Sequence, residues 1–201
     1  ASLAGRSGDL EAARCALESA LALAASDDVE RPEAARIEAT LLWFFYLSIY
    51  KEAYTCASVA PKDCDSMWAK YTGGEPRDRA DGYSKLVQSI SETTHQHTHD
   101  AVLGVRCWRD LYPADTYPTL DDLPTDGRDR FDQAWLTLDD ALHRTWTVIV
   151  RDRIERLDQS CSVEAAANWA FLQVAGPVLD RELTERRSEE HTSELQSLLI
   201  I

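Results

Sequence analysis

Glycine and proline are scarce, at 8 and 7 residues of 201. That excludes collagen-like and low-complexity chains and leaves long stretches with nothing to break a helix. Basic residues are outnumbered: 21 Lys and Arg stand against 35 Asp and Glu, for a net charge of −14. Nucleic-acid binding needs clustered cations, and so does docking on an anionic membrane, so neither fits. Long apolar runs are missing as well. The longest, residues 39–49, is broken by Thr40 and Ser48, and a bilayer span needs about 20 apolar residues. No Gly-rich phosphate loop is present, since Gly73-Gly74 reads as a turn. No Cys-x-x-Cys spacing supports a zinc ribbon. No Ser, His and Asp arrangement follows a known local signature, so the chain leans away from an enzyme.

Hydrophobic residues make up 44% of the chain and include six Trp and seven Tyr. This is enough for one sizeable core, or two small ones packed together. The periodicity is helical throughout, with no alternating strand pattern. Leu10, Leu17 and Leu21 predict a helix over 9–25 with Asp9 as its N-cap. Pro32 opens a second helix over 33–56, carrying Trp43, Phe44, Phe45, Tyr46, Tyr50 and Tyr54. Its middle is apolar nearly all round, which predicts a central helix contacted on several sides, or else a surface for a protein partner. A short helix from Asp65 carries Met67, Trp68 and Tyr71 and stops at Gly73-Gly74-Glu75-Pro76. A long segment covers 79–111. A stretch with Pro113, Pro118 and Pro124 leads to the turn Thr125-Asp126-Gly127. A helix over 128–157 presents Phe131, Trp135, Leu138, Leu142, Trp146 and Ile149 on one stripe. A last helix, capped by Ser162, should kink at Gly176-Pro177.

The expected fold is therefore all-α: an up-down helical bundle of about six helices. A match at an offset of about a hundred residues suggests two duplicated three-helix units: Trp43 pairs with Trp146, and Trp68-Ala69 with Trp169-Ala170. Residues 1–111 form the first helical unit, 112–127 a Pro-rich linker, and 128–186 a second part packed on the first. Residues 187–197 (Arg-Ser-Glu-Glu-His-Thr-Ser-Glu-Leu-Gln-Ser) look like a translated sequencing adapter, so 187–201 is set aside. The chain opens at Ala1 without an initiator Met, as a processed product or a fragment would.

An aromatic long helix, a short loop and the box Trp68-Ala69-Lys70-Tyr71 resemble the imelysin-like and iron-assimilation-type helical bundle proteins. The resemblance covers about half the chain. It implies a secreted or periplasmic protein of duplicated helical halves associated with iron. The Gly-x-His-x-x-Glu motif of imelysins is absent, so no functional residue is carried across.

Five Cys stand at 15, 56, 64, 107 and 161. Cys56 and Cys64 flank a helix-to-helix turn, where a disulfide would clip the hairpin; free buried thiols are the other reading. The chemically specific stretch is His95-Gln96-His97-Thr98-His99. On a helix at ~100° per residue, Leu86, Ile90, Ala101, Trp108 and Leu111 mark an apolar face that includes His97. His95 and His99 then fall on the opposite face beside Glu92, as an exposed i,i+4 pair able to chelate a divalent transition metal. Asp139 and His143 form a second i,i+4 pair bordering the stripe of the 128–157 helix, where His97 is placed to meet them in a carboxylate–histidine metal site. The leading expectation is a helical protein binding zinc or an iron-like metal through these residues. The other is a structural or interaction subunit of a larger assembly with no ligand.

Overall fold

The computed structural model describes residues 30–58, 60–159 and 163–198. Among them every regular element is helical: α1 (Glu30–Ser58), α2 (Asp63–Thr72), α3 (Gly82–Ile90), α4 (Glu92–Leu111), α5 (Thr125–Gln159) and α6 (Val163–Leu198). Short 3-10 turns cover Arg77–Arg79 and Leu120–Asp122. The all-α bundle read from periodicity is the observed fold. The helix expected over 9–25, its Cys15, and Ser162 with Cys161 lie outside the described residues. The backbone of α6 stays helical through Pro177 and through residues 187–198.

The compact units do not follow the chain in halves. Of the described residues, one comprises 30–40 with 150–159 and 163–198, and the other falls within Leu41–Ile149. The first is rich in small buried residues: Ala35 and Ala39 of α1, and Ala165, Ala166, Ala170 and Ala175 of α6, are buried, as is Phe171. Arg153 ties it together. Its guanidinium donates to Glu38 Oε1 at 2.5 Å and to Asn168 Oδ1 at 3.3 Å, and lies 4.4 Å from the centre of the Phe171 ring. The tryptophans paired by the hundred-residue offset do not share surroundings: Trp43 is half-buried and Trp146 fully buried, while Trp68 is half-buried and Trp169 is 56% exposed.

The second unit holds the large side chains. Tyr46, Ile49, Met67, Tyr71, Val87, Val102, Leu138, Leu142, Trp146 and Ile149 have 1% exposure or less. The stripe expected on α5 is thus its inner face, with Trp135 half-buried beside Tyr50 and Tyr54. Cys56 and Cys64 form a disulfide across the α1–α2 turn, with Cα atoms 5.0 Å apart. Thr55 Oγ1 donates to Asp63 Oδ2 at 2.5 Å over the same turn. The Pro-rich stretch packs on the end of α4. Trp108 Nε1 donates to Gly127 O at 2.9 Å, and Arg109 Nη1 donates to the carbonyls of Tyr112 and Tyr117 at 3.0 and 3.1 Å. A Cβ on Gly127 would stand 2.8 Å from the Tyr112 ring, so only glycine permits this approach.

Two expectations need correction. Segment 79–111 is not one helix: it breaks at Ser91, which is extended (φ −153°, ψ 102°) and accepts from Thr94 N at 3.2 Å as the N-cap of α4. A serine hydroxyl competes with the helical ladder and is better used at a start than in the middle. The other concerns α1, expected to be central and contacted on several sides, or else a partner surface. It buries Leu42, Tyr46, Ile49 and Ala53, but leaves Leu41, Phe44, Leu47 and Tyr54 at 53, 59, 42 and 54% exposure.

Candidate functional site

The break at Ser91 resets the helical phase, so Leu86 and Ile90 no longer predict which face of α4 turns inward. The buried stripe runs Thr94/His95, Thr98/His99, Ala101/Val102, Val105, Trp108/Arg109. The histidine assignments are therefore inverted. His95 is fully buried and His99 is 5% exposed, whereas His97 faces solvent, with Nδ1 3.4 Å from Arg144 Nη1 of α5. Leu111, used to define the apolar face, is 67% exposed.

Around His95 and His99 lies a polar cluster under the loop between α2 and α3. His95 Nε2 lies 3.1 Å from the carbonyl oxygen of Arg77. A carbonyl only accepts, so Nε2 carries the proton, and in the neutral ring Nδ1 accepts from the Tyr71 hydroxyl at 3.3 Å. For His99 the order is reversed. Arg77 Nε donates to its Nδ1 at 3.3 Å, so the proton of the neutral ring sits on Nε2. That atom is buried and meets no hydrogen-bond partner among the described residues. Burial, then the Arg77 charge, then His95 hold the His99 imidazole down to about 4, well below the ordinary histidine value. The His99 ring stands edge-on to Trp68, with centroids 4.7 Å apart. Tyr71 is stacked on His95 and meets Tyr83 edge-on; burial pushes both phenols up, Tyr83 with Tyr71 adding to it. On the α5 side, Thr98 Oγ1 lies 2.8 Å from Thr145 Oγ1, both fully buried.

These contacts occupy ring nitrogens that metal binding at the outer pair would need. Both His95 nitrogens are engaged and the His99 Nδ1 lone pair points at a guanidinium, so the pair cannot close on an ion without dismantling the cluster. The pair is also not exposed as expected. On α5, Asp139 and His143 are half-buried, while the His97 ring is met by the Arg144 cation instead of a carboxylate. Among the described residues no group of three or more His, Cys, Asp or Glu side chains can hold a metal ion.

Arg77, Tyr83 and the Thr98–Thr145 pair lie in no motif of the sequence. Tyr71 was visible in the Trp-Ala-x-Tyr box; Arg77 had a signal only in its place between glycines. No family model matches the chain, and neither a curated protein nor a solved structure matches it.

Proposed function

We propose that this chain is a non-catalytic helical interaction protein, acting as a subunit of a larger assembly through the outer face of α1. The observation that carries this is the row Leu41, Phe44, Leu47 and Tyr54, spaced three to seven residues apart, on a helix whose other face fills the core. Scattered apolar side chains are normal on a surface, but a row with an aromatic at its centre has the composition of a contact surface. Around His95 and His99 no nucleophile is paired with an oriented base, which supports a role without catalysis. The disulfide is compatible with the secreted or periplasmic location that the family likeness implies. None of the described helices is long and apolar enough to cross a membrane.

The test places a photo-reactive residue at position 44 and measures particle mass by light scattering beside it. A mass above 22.6 kDa, or a protein cross-linked at position 44 and lost with Leu41→Glu and Leu47→Glu, supports the reading. A 22.6 kDa monomer at all concentrations, with no protein cross-linked in extract of its source, overturns it.

A further inference from the structure

The loop from Glu75 to Asp81 is a strap laid over the histidine pair. It is bounded by glycines in left-handed conformations, Gly73 and Gly74 (φ 69° and 83°) before it and Gly82 (φ 56°) after it. Such residues let the chain turn sharply at both ends. Its 3-10 turn, Arg77–Arg79, buries none of its residues. Among the described residues, the hydrogen bonds and ion pair that join the strap to α4 all belong to Arg77. The backbone carbonyl accepts from His95 Nε2, Nε donates to His99 Nδ1, and the guanidinium pairs with Asp100. One residue therefore fastens the strap, and two of its three fastenings are histidines.

The hydrogen bonds of the two histidines run in opposite directions. His95 Nε2 donates to Arg77 O, whereas His99 Nδ1 accepts from Arg77 Nε. A second proton on His99 goes to Nδ1, where it confronts the N–H of Arg77 Nε. An accepted hydrogen bond becomes a donor facing a donor, and a cation facing a cation. The groups facing His99 offer no relief. The Trp68 ring comes from α2, the Arg77 guanidinium from the strap, and His95 is on its own helix, with Tyr71 and then Tyr83 beyond His95. The carboxylate beside Arg77, that of Asp100, is already paired with it, and both of those side chains are half in solvent.

We propose that the Glu75–Asp81 strap is an acid-opened cover, in which protonation of His99 expels the Arg77 side chain and uncovers the Trp68–Tyr71–His95 face of α2 and α4. Below the ordinary histidine value of 6.5 the open form takes up the proton, while the closed form resists it down to about 4. Opening is thus unfavoured at pH 7 and grows as the pH falls. Between pH 7 and pH 5 the opening equilibrium should rise about 20-fold.

Hydrogen exchange of the intact chain at pH 7 and pH 5, with intrinsic rates corrected for pH, reads this directly. Amides of 75–82 should lose about 20-fold of their protection in the wild type, while those of α5 over 138–149 keep theirs. His99→Gln retains a neutral acceptor for Arg77 Nε and should stay closed at both pH values. Arg77→Met removes the side-chain fastenings and should be open at both, with no further response to acid. Should the glutamine variant fail to fold, the methionine variant carries the comparison alone. Unchanged protection of the wild-type strap, a glutamine or methionine variant that opens with acid as the wild type does, or equal losses in α5 would each overturn the proposal.

Discussion

Reducing the Cys56–Cys64 disulfide tests how the α1–α2 hairpin is held. The bridge spans a sequence separation of 8. The chain-entropy relation assigns a closed loop of that length about 2.5 kcal/mol of stabilisation, all of it through the unfolded chain. The folded hairpin keeps other ties. Thr55 donates to Asp63, Lys70 pairs with Glu52, and Met67 and Tyr71 are fully buried. Reduction should therefore leave the helices in place and lower the melting temperature by about 5–10 °C for a chain of this size. Replacing both cysteines by alanine adds a second cost, because Cys56 is 0% and Cys64 5% exposed and each substitution deletes a buried sulfur. About 1 kcal/mol for each small cavity places the double variant below the reduced wild type. Urea unfolding followed by circular dichroism measures both, and alkylation of the denatured, unreduced protein identifies the free thiols. The reasoning is refuted if Cys56 or Cys64 is alkylated without reductant. It is equally refuted if reduction leaves the urea midpoint unmoved.

Three other outcomes follow from the same packing. Trp146→Ala should cost about 3–5 kcal/mol in urea unfolding, because the ring is fully enclosed beside Tyr46, whereas Trp169→Ala should cost under about 1 kcal/mol. Equal losses would contradict the different surroundings of these two tryptophans. Gly127→Ala should destabilise by about 1–3 kcal/mol, since the new methyl meets the Tyr112 ring, and Tyr112→Ala should rescue part of that loss in a double-mutant cycle. Calorimetric titration of Zn, Ni or Cu should show no site of dissociation constant below about 10 µM that disappears with His95→Ala and His99→Ala. Micromolar binding abolished by that double variant would restore the metal reading.

The sequence alone determined the helical class, the inner stripe of α5 and the stop at Gly73-Gly74, each from local information: a 3.6-residue repeat or a left-handed glycine. It placed Cys56 and Cys64 either side of a short loop, but left bridge and free thiols open until the structure brought their Cα atoms to 5.0 Å. The candidate site was legible only as a place. That His95, His97 and His99 mattered was visible, but which of them turned inward was not, because one hydroxyl at Ser91 restarts the helix and shifts its phase. Two apolar residues before the break, and Leu111 at the exposed end, pointed to the wrong side. Only the tertiary structure brought Arg77 over the pair, and that contact joins residues 18 and 22 positions apart across a loop with no periodicity of its own. It also decided the character of α1. A helix apolar on every side can be central or half bare, and the choice depends on how many neighbours reach it, which its own residues do not encode.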